Sequence, residues 1–99
     1  MFVVRDIFYC KPGKVRPMVQ KFQALAKLSE KMGFGGMRIM TDLSGERYWT
    51  VVSEIEVASL EKYAETSRQS MADPEFQAAM KDYHDLVEGG RREIYMLEK

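Results

Sequence analysis

The chain has 99 residues, of which 45% are hydrophobic and 30% charged, and its fifteen basic and fifteen acidic side chains leave no net charge. This composition is typical of one folded domain rather than of a disordered chain. The balanced charge, without a long run of one sign, excludes the basic surface of a general nucleic-acid or anionic-membrane binder. We therefore predict a single domain over residues 1–99, with neither a nucleic acid nor a membrane as its partner.

The single cysteine, Cys10, has no partner for an internal disulfide or a metal cluster, and the single histidine excludes a two-histidine metal site. The amino terminus lacks a basic region followed by an apolar segment, and no run of residues is long enough to span a bilayer. These features predict a cytoplasmic protein with no metal site and no cofactor.

The first half of the chain predicts a strand followed by a helix. Phe2 to Cys10 is rich in β-branched and aromatic residues, which indicates a first strand. A turn follows at residues 11–14. Apolar residues then recur every three or four positions from Val15 to Met32, which predicts one buried helical face, and Gly33 ends the helix.

The second half predicts three strands and a broken helix. Residues 37–43 and 47–55 indicate two antiparallel strands joined by a tight connection at 44–46, with Tyr48 and Trp49 pointing to opposite faces of the later strand. Ser59 fits the cap of a helix from Leu60, and Asp73 caps a second helix. Its predicted buried face consists of Phe76, Ala79, Met80, Tyr83, Leu86 and Val87. Gly89-Gly90 would end it, and residues 91–98 would form the fourth strand.

The order β-α-β-β-α-β predicts an α+β, ferredoxin-like domain, in which helices cover one face of a four-stranded antiparallel sheet. The other face would carry Val3, Ile7 and Tyr9 and would form an apolar patch larger than a monomer usually exposes. Burial of about 800 Å² per subunit would offset the entropic cost of association. We therefore predict a homodimer whose two sheets pack face to face.

Three stretches carry a family resemblance: Lys11-Pro12-Gly13-Lys14, Ser44-Gly45-Glu46, and the run from Asp73 through Phe76 to Met80. With them, essentially the whole chain resembles the dimeric α/β-barrel superfamily, which includes antibiotic biosynthesis monooxygenases and NIPSNAP-type proteins. The resemblance implies a dimeric barrel with a pocket between helices and sheet. In the quinone-forming branch it implies a phenolic substrate that is deprotonated and oxidised by dioxygen without a cofactor. Because the superfamily also includes haem-degrading enzymes, isomerases and members of no known activity, it implies a fold rather than a reaction.

The haem-degrading branch matches this chain poorly. Those enzymes have an asparagine where this chain has Asp6, and a haem-ligating histidine where it has Met80. Their nearby tryptophan is replaced by the segment Thr66–Arg68. His84, one turn after Met80, is the remaining candidate haem ligand.

Two side chains are the catalytic candidates. Asp6 lies on the predicted helix-facing side of the first strand, where a carboxylate is either a base whose pKa burial raises, or a structural group. In the structural case it forms an ion pair with Arg38, Arg91 or Arg92, or is simply exposed near a strand end. His84 titrates near neutrality and flanks the last helix, but it also fits a solvated boundary position.

The predicted contacts with a small hydrophobic or aromatic molecule share an aromatic or thioether side chain, and they are Trp49, Tyr63, Phe76, Met80 and Tyr83. Each of these fits core packing as well. The sequence thus leaves two functions open, a cofactor-independent monooxygenase and a non-catalytic ligand-binding or assembly module. An RNA-recognition module has the same element order, but its glycine-aromatic pattern is absent from the third strand.

Overall fold

The computed structural model describes residues 1–98, and its elements follow the predicted β-α-β-β-α-β order. The strands are β1 Phe2–Cys10, β2 Arg38–Thr41, β3 Thr50–Val57 and β4 Val87–Met96, and the helices are α1 Val15–Lys31, α2 Leu60–Met71 and α3 Pro74–Ala79. The sheet order is β2-β3-β1-β4, and each neighbouring pair is antiparallel. The ferredoxin-like α+β fold is thereby confirmed. No helix within residues 1–98 is long and apolar enough to cross a membrane.

Helix α1 packs its apolar stripe on the two central strands. Met18, Phe22 and Leu25 are buried and belong to one cluster with Cys10 of β1 and Val51 of β3. Burial of each large apolar side chain stabilises the fold by about 1.5–3 kcal/mol. Gly33 follows the helix with a φ of +86°, so the predicted stop is confirmed.

Two predicted caps mark the start of α2 and the break between α2 and α3. The Ser59 hydroxyl oxygen accepts a hydrogen bond from the Lys62 N–H at 3.2 Å, at the start of α2. Asp73 Oδ1 accepts one from the Glu75 N–H at 2.8 Å, and Pro74 occupies the first turn of α3. Each such cap stabilises a helix by about 1 kcal/mol.

The last helix is much shorter than predicted. α3 ends at Ala79, Asp82 has a left-handed φ of 62°, and residues Tyr83–Asp85 form one turn of 3₁₀ helix. The chain reverses at this turn, and the Leu86 carbonyl accepts a hydrogen bond from the Lys11 N–H at 2.8 Å. The prediction of one helix reaching Val87 is therefore wrong, and Gly89-Gly90, predicted to end it, lies inside β4.

The connection between β2 and β3 is longer than predicted, because β3 begins at Thr50 rather than Arg47. Asp42 Oδ1 accepts a hydrogen bond from the Thr50 N–H at 2.8 Å and closes a loop over residues 42–49. Trp49 has a left-handed φ of 62° inside this loop. The prediction that Tyr48 and Trp49 alternate on a strand is therefore wrong.

The outward face of the sheet is more charged than predicted. Val3 and Ile7 are each only 7% exposed within the single chain, so they do not form an exposed apolar patch. Charged side chains from all four strands lie across this face and pair with one another.

Candidate ligand-binding site

A cavity of about 340 Å³ lies between the helices and the sheet. Helix α2 contributes Ser67 and Ser70 to its wall, and these side chains are too small to fill the space. The Ser70 hydroxyl donates to the Thr66 carbonyl at 2.9 Å, so it needs no further partner. The remaining wall is mostly apolar, with contributions from Val4, Phe8, Phe22, Leu25, Phe34, Met37, Ile55, Phe76 and Met80.

The charged part of the wall is an ion pair between β1 and β4. Asp6 and Arg92 are neighbours in the strand register, and both line the cavity. Arg92 Nε donates to Asp6 Oδ1 at 2.6 Å and Nη2 to Oδ2 at 3.3 Å, a two-pronged geometry that favours the charged forms. The hydrogen bond to Asp6 raises the pKa of Arg92. The ion pair with Arg92 is thus present, and because Asp6 also lines the cavity, its role as a base stays a prediction.

Tyr63 stands beside this pair. Its ring centre is 5.7 Å from the Arg92 guanidinium carbon and 5.9 Å from the centre of the Phe34 ring. Burial raises the pKa of Tyr63, and the positive charge of Arg92 only partly opposes this. The hydroxyl is therefore protonated at neutral pH and available as a hydrogen-bond donor.

His84 lies outside the apolar cavity, on an adjoining cleft of about 480 Å³. Asp6, Phe8, Tyr83 and Arg92 line both spaces and form the wall between them. The exposed His84 ring lies 4.0 Å from the Tyr83 ring, centre to centre. The structure therefore brings Asp6 and His84 to a common cleft, with only Asp6 reaching the apolar cavity.

Of the predicted ligand contacts, Tyr63, Phe76, Met80 and Tyr83 line the cavity and are each half-buried. Tyr83 also meets Phe8 edge to face, with ring centres 6.1 Å apart. All four side chains are therefore placed to touch a molecule in the cavity, and their role as ligand contacts stays a prediction.

Trp49 does not line the cavity. It lies in the loop before β3, where its side chain is 44% exposed, and the neighbouring Tyr48 is 85% exposed. Bulky aromatic residues such as Tyr48 and Trp49 are typical of strands, so the sequence pattern alone could not reveal the left-handed conformation of Trp49.

Several lining residues were missed by the sequence reasoning, among them Phe34, Met37, Ser53, Ser67 and Ser70. Phe34 belongs to the irregular segment between α1 and β2, and Met37, predicted to begin the second strand, lies at the end of that segment, just before β2. The serines are polar, and only their position on the inner side of α2 and β3 makes them part of the wall. Arg92 was one of three possible partners for Asp6, and only the strand register singles it out.

No family model and no curated protein matches this chain. Solved structures do match its fold. A NIPSNAP-domain protein from Burkholderia xenovorans superposes with a TM-score of 0.80 at 20% identity, over 99% of this chain and 95% of that one. The protein Atu4242 from Agrobacterium tumefaciens gives a TM-score of 0.84 at 20% identity, over 100% of this chain and 95% of that one. The chain has the fold of NIPSNAP-domain proteins.

A protein from Deinococcus radiodurans, provisionally assigned as an antibiotic biosynthesis monooxygenase, has a TM-score of 0.73 at 13% identity, over 100% of this chain and 94% of that one. The predicted resemblance to both groups is thus confirmed for the fold. At these identities the similarity does not extend to activity or substrate.

The cavity does not offer a histidine to haem iron. Met80 occupies the wall where the haem-degrading enzymes would have their ligand, and His84, the one histidine in the chain, lies beyond the Tyr83 side of the wall. Within residues 1–98 no group of three or more His, Cys, Asp or Glu side chains is placed to hold a metal ion.

Proposed function

We propose that this protein binds a small, mainly apolar molecule with one hydroxyl group in the cavity between helices and sheet. The observation that supports this most directly is a mostly apolar wall that carries one ion pair, Asp6–Arg92. The cavity volume of about 340 Å³ falls at the small end of the range for ligand-binding sites. An apolar body would pack against Phe22, Phe76 and Met80.

The proposed chemistry is oxidation of a phenol or enol by dioxygen without a cofactor. The Asp6 carboxylate can accept a hydrogen bond from the hydroxyl group, and the Arg92 charge favours the anion that deprotonation produces. The electron-rich anion would then reduce dioxygen: one oxygen atom forms a bond to the ring carbon para to the hydroxyl group, and the other leaves as water with the displaced ring hydrogen and the proton held by Asp6. One phenol and one dioxygen thus give one quinone and one water. The fold shared with a provisionally assigned monooxygenase supports this class of reaction, and the substrate is a proposal about this chain alone.

Ligand binding without catalysis is the second candidate, and one observation favours it. Both Asp6 oxygens already accept hydrogen bonds from Arg92, so the carboxylate is held in a structural pair rather than left free to face a substrate proton. His84, the other candidate base, reaches only the adjoining cleft. Under this reading the protein carries or senses its ligand.

Calorimetric titration with 2-naphthol and with naphthalene tests the binding proposal. We expect 2-naphthol to bind more tightly, and Asp6→Asn to weaken it about 10-fold or more, because a hydrogen bond to a charged group contributes about 1.5–3 kcal/mol. Asp85→Asn removes an exposed carboxylate that does not line the cavity and is the matched control. Equal affinity for the two compounds, or no binding of either, would contradict the proposal.

Dioxygen uptake separates the two functions. With 1-naphthol, which has one hydroxyl group and a free para carbon, the enzyme reading predicts protein-dependent uptake above the spontaneous rate, lost in Asp6→Asn and retained in Asp85→Asn. The binding reading predicts tight association without extra uptake. A rate equal to that of a protein-free solution would rule out monooxygenase activity on this phenol.

We also propose that two copies associate through the outward faces of their sheets. Two half-exposed apolar side chains, Met40 and Tyr95, lie on that face and would become buried. The single buried thiol of Cys10 fits a reducing compartment such as the cytoplasm. Sedimentation velocity at micromolar concentration tests the assembly, and a one-chain mass would contradict it.

A further inference from the structure

Four charges of alternating sign form one row across the outward face of the sheet. The strand register places Arg38 of β2 opposite Glu54 of β3, and Glu54 opposite Arg5 of β1. Arg5 is in turn opposite Glu93 of β4. Directly opposite residues of antiparallel strands project from the same face, so the row crosses the sheet from edge to edge.

Each charge of the row is already paired within the chain. Arg5 Nε donates to Glu54 Oε2 at 2.9 Å, and its Nη1 lies 3.6 Å from Glu93 Oε1. Arg38 donates to the other oxygen of Glu54, whose side chain is only 10% exposed. Hydrogen bonds from Arg38 and Arg5 lower the pKa of Glu54.

Glu93 is held in the same way, because hydrogen bonds from Arg91 and Tyr95 lower its pKa. Both glutamates are therefore ionised at neutral pH. A surface that covers this row would not leave an unpaired buried charge, which is the costly case.

The order of the charges is self-complementary. Read from β2 to β4 the row is Arg-Glu-Arg-Glu, and read backwards it is Glu-Arg-Glu-Arg. A two-fold axis that runs parallel to the strands, between β3 and β1, generates a second copy whose row faces the first in reverse order. Opposite charges would then meet at all four positions.

We propose that this row selects the orientation of two copies in the homodimer, an inference that rests on the dimer proposed above. Arg38 faces the partner subunit's Glu93, and Glu54 faces the partner subunit's Arg5. A two-fold axis along the row would instead oppose each charge to its own copy, and juxtaposed like charges strongly disfavour a complex. The occupant of this face is therefore another copy of the same chain.

The distances permit these contacts. Sheets packed face to face lie about 10 Å apart, so an arginine and a glutamate that project toward each other can meet midway. Aligned sheets are rotated by about 30°, which displaces the two ends of a four-strand row by only a few Å. Met40 and Tyr95 flank the row and supply apolar contact beside it.

Charge exchange at the two ends of the row tests the proposal. In a homodimer of the Arg38→Glu variant, two pairs of like charges meet across the interface. The same holds for a homodimer of the Glu93→Arg variant. We expect each single variant to raise the dissociation constant of its homodimer about 100-fold, because like charges across an interface are strongly unfavourable. An equimolar mixture of the two should form the heterodimer almost exclusively, measured by native mass spectrometry with one variant isotope-labelled.

The double variant Arg38→Glu/Glu93→Arg is the internal control. It keeps every repulsion that the two substitutions introduce within a chain, but it restores opposite charges across the interface, so its homodimer should recover. Circular dichroism melting shows whether each variant is folded at the assay temperature. Arg38→Ala and Glu93→Ala, which remove charge without reversing it, should favour the heterodimer far less, because only one opposite-charge contact distinguishes it from the two homodimers.

Three results would overturn the inference. If the wild type dimerises and the charge-reversed variants mix at random, the row does not face its copy, and the dimer itself stands. If each single variant dimerises as tightly as the wild type while the mixture still favours the heterodimer, the axis runs along the row instead. If the wild type is a monomer at micromolar concentration, the dimer and the orientation both fail.

Discussion

Gly90 is the position in β4 where a single methyl group should disturb the fold most clearly. A Cβ added there would lie 2.5 Å from the Ile7 carbonyl oxygen and 3.4 Å from both Cα and Cδ1 of Phe8. The nearest atom is backbone and cannot rotate away, so β4 must separate from β1 or bend. Overpacking of this kind costs about 1–3 kcal/mol, and the reduced entropy of the unfolded chain returns about 0.4–1 kcal/mol.

The expected net loss for Gly90→Ala is therefore about 1–2 kcal/mol, which corresponds to a fall in Tm of roughly 5–15 °C for a domain of this size. Gly89→Ala is the matched control, because its Cβ would meet no atom within 4 Å. We expect that control to melt at the wild-type temperature or slightly above it. Thermal melting followed by circular dichroism compares the three proteins. Equal melting temperatures for Gly90→Ala and Gly89→Ala would refute the steric reasoning.

Three further predictions concern the site, the charged row and the thiol. Phe76→Ala should reduce the free energy of unfolding by about 2 kcal/mol, less than the 3–5 kcal/mol of a fully buried ring, because Phe76 is half-buried and faces the cavity. A loss of unfolding free energy above about 4 kcal/mol, measured by urea denaturation, would show that the ring is fully buried in the core instead of lining the cavity. Because the pKa of Glu54 is lowered, its contribution to stability is complete above the ordinary value of 4.5 and is lost as the pH falls below it. Urea unfolding between pH 3 and 7 should show this loss, and Glu54→Gln should flatten it; an unchanged pH profile in the variant would contradict the assignment. Cys10 is 2% exposed, and burial raises its thiol pKa, so an aromatic disulfide reagent at pH 8 should label it far more slowly in the native protein than in denaturant. Equal labelling rates in the two conditions would place the thiol at the surface.

The regular parts of the fold were predictable because their signals are local. The stripe of Met18, Phe22 and Leu25 repeats at helical spacing, and Ser59 and Asp73 are side chains that satisfy free N–H groups a few residues away. Neither signal depends on the rest of the chain. Element order and the break between α2 and α3 followed from such signals alone.

The errors fell where a distant contact or an unusual backbone conformation decides. Asp42 closes the loop before β3 by binding the Thr50 N–H, and Asp82 turns the chain after α3 in a left-handed conformation. Propensities favour a strand through Trp49 and a helix through Tyr83, and each is overridden at one residue. The positions of Trp49 and His84 relative to the cavity changed as a result.

By itself the sequence determined the ferredoxin-like order of the elements, the helix caps and the buried face of α1. For Asp6 it offered three arginines as ion-pair partners without selecting one. Only the tertiary structure decided that Arg92 is the partner, since strand register is set by packing between segments 86 residues apart. It also decided that small serines of α2 leave a cavity beside that pair, and that four separate charges align in one row. Local patterns specify which elements form, whereas sites arise between elements, where side chains distant in sequence meet.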